Sequence, residues 1–436
     1  MQTPLWLVSP FFILLLSIAI LPVMQPKLWH KWYKVLSLGL GLLVGMYYVL
    51  FIGNIALPIE AFSEYFSFIS LMVLLYVASG GIFLFIDRPS NVLNNCVFLL
   101  LAAIASNLIG TTGASILLIR PFIRLNRYRV KAYHIVFFIF IVSNMGGMLT
   151  PIADPPLFIG FLKGVPFTWT LFQLWLPWIT GLGMCLLAFC FFDSRNKVLN
   201  AIDSDTKHSG KIVIQGKRNF IWLGIAVGSV FLDPVLFNWI PTIHYHGQSI
   251  SYLRECLQLA IAFICYRTAN QKALLSNDFN FTPIVEVVFL FFGIFLSMIP
   301  LVEWLTLAVQ NSPLASNVNM PMLFGLTGFF SSFLDNAPTY LCMFTMMLAA
   351  NGLSVHSIAD VQVFLNGNES QLLAAISVSS VVFGAMTYIG NGPNLMVKYI
   401  AEHAGIKMPS FGAYILRFSL PILLPIFAVM YLLYFR

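Results

Sequence analysis

Two aspartates stand in stretches that are otherwise apolar. Asp154 lies between Pro151 and the pair Pro155 and Pro156 in GGMLTPIADPPLFI (146–159). Asp335 precedes Asn336 in SFLDNAPTYL (332–341). A carboxylate at the centre of a bilayer costs about 2.5–3.5 kcal/mol on insertion scales, so its presence points to a function. Neutral oxygens accompany the pair: Asn107, Thr111, Thr112, Asn144, Thr150, Asn336, Thr339, Thr387, Asn391 and Asn394. Carboxylate, amide and hydroxyl oxygens together suit a hard cation, so Na⁺ would be held at Asp154 and Asp335. The bland alternative is that each Asp caps a helix end. Glu286, in a third apolar stretch, reads either as a proton relay or as an interfacial carboxylate.

Broken helices must carry these groups. Proline removes a backbone donor and clashes with the preceding turn. Gly146, Gly147, Pro151, Pro155 and Pro156 therefore interrupt 132–161, and Gly390, Gly392 and Pro393 interrupt 371–400. A break frees amides at one half-helix N-terminus and carbonyls at the other half's end, which attract anions and cations respectively. Two further stretches, 94–126 and 320–350, are too long for one crossing and too short for two. Their polar middles predict re-entrant hairpins, whose tips must be buried in protein or face a watery cavity.

Composition supplies the surroundings. The 436 residues are 59% hydrophobic and 9% charged, with mean hydropathy +0.88. A soluble domain carries about 25% charge, so the chain is a polytopic membrane protein. Remaining spans are expected at 4–24, 33–53, 63–86, 171–193, 219–240, 251–268, 283–305 and 411–434. With both termini outside, every Lys and Arg except Lys163, Arg254 and Arg436 falls on the cytoplasmic side, as the positive-inside rule requires. The net charge of +7 thus reports topology and needs no nucleic acid.

Each half of the chain reads helix, helix, helix, hairpin, broken helix, helix. The first half makes an odd number of crossings, so the second is inverted. The expected fold is an all-α inverted-topology repeat of about ten transmembrane helices, two re-entrant hairpins and two broken helices. It divides into a first repeat (1–193), a cytoplasmic linker (194–217) and a second repeat (218–436). Gly146, Met148, Pro155 and Leu157 align with Gly384, Met386, Pro393 and Leu395 across the two breaks. Such repeats place substrates near the midplane.

Six cysteines in apolar stretches, without Cys-x-x-Cys spacing, read as small buried hydrophobes. No Walker A string, Gly-x-Ser-x-Gly or His-Glu-x-x-His occurs, and no nucleophile–base or metal constellation suggests an enzyme.

The layout resembles the ion transporter superfamily, which includes NhaD-type sodium/proton antiporters, arsenite-permease-like proteins, citrate carriers and dicarboxylate/sodium symporters. LTPIADPPLFIGFLKGVPF (149–167), FLDNAPTYL (333–341) and TYIGNGPNLMVKYIAEHAG (387–405) are most similar to a sodium/proton antiporter or citrate transporter subgroup. The resemblance implies an elevator mechanism and a homodimer in a bacterial inner membrane. It also implies Na⁺ or H⁺ as coupling ion, with no other cofactor. The dicarboxylate symporters carry Ser-Asn-Thr at both hairpin tips; here the tips read Ser106-Asn107-Leu108 and Asp335-Asn336-Ala337. The expectation is therefore a cation/proton antiporter, with a citrate or dicarboxylate carrier as the alternative.

Overall fold

Apolar, proline-punctuated segments with few charges can satisfy their backbone in lipid only as helices. The computed structural model describes residues 3–196, 210–232, 237, 239–245, 248–310, 319–367 and 369–436. Helix accounts for 77% of it and strand for 2%. The molecule is a polytopic, all-helical membrane protein.

In chain order the first half holds α1 (Ser9–Met24), α2 (Pro26–Tyr47), α3 (Ala56–Gly80), α4 (Val92–Ile109), α5 (Thr111–Leu125), α6 (Ala132–Ile141), α7 (Pro155–Leu162) and α8 (Phe167–Ser194). The second half holds α9 (Asn219–Ser229), α10 (Leu253–Thr268), α11 (Gln271–Ser276), α12 (Thr282–Ser297), α13 (Ile299–Gln310), α14 (Met320–Phe333), α15 (Asn336–Ala350), α16 (Ile358–Asn366), α17 (Ser370–Phe383), α18 (Gly392–His403) and α19 (Phe411–Tyr434). Among the described residues, seven helices are long and apolar enough to cross a membrane, α4 among them. Other expected crossings are broken or short: α9 has 11 residues and α10 has 16.

Some boundaries differ from expectation. The second helix starts at Pro26, not 33, because proline is well placed in a first turn. The third ends at Gly80, and Phe83–Ile86 forms a strand paired antiparallel with Ile212–Gln215. The end of the expected linker is thus tied down as a ribbon, while 197–209 lie outside the described residues. The cysteines are not uniformly buried: Cys256 is exposed, and Cys96, Cys190 and Cys342 are partly so.

Both hairpins form. Asn91 starts α4 by accepting the Asn94 amide at 2.8 Å, and Asn319 starts α14 by accepting the Met322 amide at 3.0 Å. The first hairpin turns on Gly110 alone, at φ 78° and ψ 151°, a region open essentially only to glycine. The second turns through Leu334 and Asp335. The arms then cross between halves: α5 packs on α18, and α15 packs on α7. A second group forms where α2 packs on α12, and α3 on α10 and α12.

At the base of the first hairpin the Asp193 carboxylate is 1% exposed. It accepts hydrogen bonds from Arg129, from Tyr133 at 2.7 Å and from Asn95 at 3.1 Å. This joins α4, α6 and α8 through one buried charge. Removing one member of a buried ion pair leaves the other uncompensated, at about 3–5 kcal/mol. Asp193→Ala, which strands Arg129 at 3% exposure, is therefore expected to lower the thermal unfolding temperature of the detergent-solubilised protein sharply. Asp193→Asn is expected to lower it less.

Candidate functional site

Four helices begin at one place. α5 starts after Gly110, α7 after Asp154, α15 after Asp335 and α18 after Asn391. The stretches 132–161 and 371–400 are each split, α6 from α7 and α17 from α18. Pro155 and Pro393 sit in the first turns of α7 and α18, where a missing amide hydrogen costs nothing. Each N-terminus carries a partial positive charge.

Asp154 is the group they surround. It is 2% exposed and makes no capping bond to its own helix. Its Oδ1 accepts from Thr111 Oγ1 at 2.9 Å and from Asn391 Nδ2 at 3.3 Å. Its Oδ2 accepts from Asn336 Nδ2 at 2.6 Å. Both hairpin tips and the second break thus donate to the carboxylate of the first break. No Lys, Arg or His pairs with it among the described residues. Asn336 Oδ1 is buried without a partner. A cavity of about 10 Å³ borders Asp154, Thr111 and Pro151, room for one water-sized particle.

The remaining predicted residues fall around this centre. Asn144 donates to Asn394 Oδ1 at 2.8 Å and accepts from Asn391 at 3.2 Å, linking the two breaks. Asn394 donates to the Gly384 and Thr387 carbonyls at 2.8 and 2.9 Å, quieting the second break. Asn107 accepts the Leu149 amide, and its carbonyl accepts from Thr150, so the two hold the first tip against the first break. Thr387 donates to the Ser332 carbonyl at 2.5 Å, which does the same for the second pair.

Asp335 has a different role from Asp154. Half-buried, it caps α15 through the Ala337 amide at 3.1 Å, and Thr339 donates to its carbonyl. The capping alternative thus describes Asp335 and not Asp154. Thr112 takes no part in the contacts that join the tips. Glu286 accepts from Trp29 on α2 at 2.9 Å, away from these contacts.

Close approach explains two glycines. A Cβ at Gly147 would lie 2.3 Å from Thr111 Cγ2, and one at Gly390 would lie 2.7 Å from the Gly384 oxygen and 2.8 Å from the Ser331 oxygen. Gly146 is similarly crowded, by Ile141 O and Ala103 Cα, whereas Gly392 has open space.

Ser143 escapes the sequence reading, although its carbonyl accepts from Asn391 at 3.1 Å. So does Lys163, assigned there to an outer loop. It is 6% exposed and paired with Glu60 and Glu64. The spacing of those two glutamates, one helical turn apart, was the available signal.

A family model described as "Putative citrate transport" matches residues 1–435. The chain belongs to this family. The match takes in both hairpins, both breaks and the intervening linker, so the Asp154 site belongs to a membrane transport protein of this family. No curated protein matches the chain.

Leaving a buried acceptor unsatisfied costs about 1–3 kcal/mol. Asn394→Ala strips donors from two carbonyls and is expected to destabilise the protein by about that amount per carbonyl. Thermal unfolding in detergent would register it. An unchanged midpoint would remove Asn394 from the support of the break.

Proposed function

We propose that the protein is a secondary transporter in which Asp154 carries either a proton or Na⁺, giving cation/proton exchange. One observation carries this reading: a buried carboxylate held by three neutral donors, with no cationic side chain paired to it among the described residues. A buried charge must be neutralised or paired. A proton or a small cation at Asp154 does so, and occupancy by one excludes the other. The unpartnered Asn336 Oδ1 supplies a further hard oxygen beside it, and the adjoining cavity suits an ion or water in size. Asp335, capping the neighbouring helix, contributes negative charge nearby.

A second reading, citrate carriage coupled to the same ion, is favoured by the family description. The four half-helix N-termini also favour it, because such ends attract carboxylates. Both readings keep the inverted halves (1–193 and 218–436), outer termini and a cytoplasmic linker in an inner membrane. Both also keep elevator movement and a homodimer.

The test is a paired assay in proteoliposomes. Collapse of a pH gradient is followed on adding Na⁺, Li⁺ or K⁺, and uptake of labelled citrate and succinate is followed with and without a Na⁺ gradient. Wild-type protein is expected to move protons in response to Na⁺, and Asp154→Asn to lose that response. Asparagine keeps the side chain's size, so retained folding can be checked by elution profile and unfolding temperature. Undiminished exchange by Asp154→Asn would rule out the Asp154 mechanism. Ion-dependent citrate uptake without Na⁺/H⁺ exchange would select the second reading. Asp335→Asn, which preserves a capping side chain, reports whether the second charge is needed.

A further inference from the structure

We propose that Lys163, Glu60, Glu64 and His356 form a charged clamp that fixes the Asp154-bearing unit to α3 in the conformation seen here and must open during transport. The clamp rests on the reading of the protein as a carrier with a moving unit, and adds the contact that restrains that unit.

Lys163 follows α7 directly, so it sits at the far end of the half-helix that begins at Asp154. Its Nζ lies 3.0 Å from Glu60 Oε1 and 2.6 Å from Glu64 Oε1. These glutamates share one face of α3. His356, between α15 and α16, approaches Glu60 Oε1 at 2.8 Å through Nδ1. The cluster therefore joins α3 both to the first break and to the segment leaving the second hairpin. Those are the two elements whose other ends supply Asp154 and Asn336.

The cluster shares no residue with the contacts around Asp154. A cavity of about 30 Å³ adjoins it, walled by apolar groups including Phe295, Met298, Val302 and Leu341. No other charged side chain lines this cavity among the described residues. Nearby Asp360 is engaged by the Ser354 amide, and Glu303 by Thr3 and Tyr48. Another ion pair, Arg120–Asp278, has a 77% exposed carboxylate and so contributes little. Lys163 is buried and the glutamate side chains are 16% and 14% exposed, with His356 at the rim at 34%, so separating the cluster uncovers two glutamates and a lysine at once. Its strength biases the balance between the clamped and released conformations.

The experiment uses full-length protein with its six native cysteines replaced, in proteoliposomes. With Glu60→Cys and His356→Cys, oxidation to a disulfide is expected to slow exchange about tenfold or more, and a reductant to restore it. Exchange at the reduced-state rate while mass spectrometry shows the cross-link would overturn the clamp and leave the transport reading standing.

A second measurement needs no transport. A single Glu64→Cys is labelled with a membrane-impermeant maleimide, with and without Lys163→Met and Glu60→Gln. Removing the remaining charges is expected to speed labelling about tenfold while the elution profile stays monodisperse. Equal labelling rates would overturn the clamp. If wild-type protein moves no ion or carboxylate, the proposed function fails, and the labelling result still decides whether these charges hold the two elements together.

Discussion

A carboxylate buried among four helix N-termini, with no cationic side chain paired to it among the described residues, is the constraint around which this molecule is organised. Asp154 is 2% exposed, and among the described residues no lysine or arginine pairs with it. Amide and hydroxyl donors from Thr111, Asn336 and Asn391 take that part. Each donor stands within a residue of the start of a different half-helix. Partial positive charge from the backbone thereby substitutes for full charge from a side chain. Such a site stabilises a negative group while leaving room for a small mobile cation or proton to complete it.

That arrangement demands irregular backbone inside a membrane protein, and the surrounding structure is built to tolerate it. The Gly384 and Thr387 carbonyls at the second break accept from the Asn394 side-chain amide, the Thr387 hydroxyl donates to the Ser332 carbonyl, and the first break is held by Asn107 and Thr150. Gly147 and Gly390 let backbone and side chains approach more closely than any Cβ would permit. Because α5 packs on α18 and α15 on α7, neither half can assemble its part of the site without the other. The site is a property of the pair.

Two further charge clusters act between helices. Asp193 ties the first hairpin to its own half from the base. Lys163 reaches across to α3. The first joins helices of the first half at the base of its hairpin, and the second joins α3 to the end of α7.

The sequence by itself determined the membrane class and marked where the apolar stretches are interrupted. Those follow from local chemistry: long apolar runs, a glycine that alone can adopt the backbone at 110, and proline- and glycine-rich strings at the interruptions. It also marked Asp154, because an acidic residue among prolines in an apolar run has few bland explanations. Tertiary structure alone decided that Asp154 receives the donors while Asp335, its apparent equivalent, caps a helix. Residues at 111, 336 and 391 meet only when the two halves interlock, and no spacing along the chain encodes that meeting. The same holds for Lys163, which reads as a loop charge until α3 brings Glu60 and Glu64 beside it. Local backbone preference is written in neighbouring residues; electrostatic partnership depends on which distant surfaces pack together.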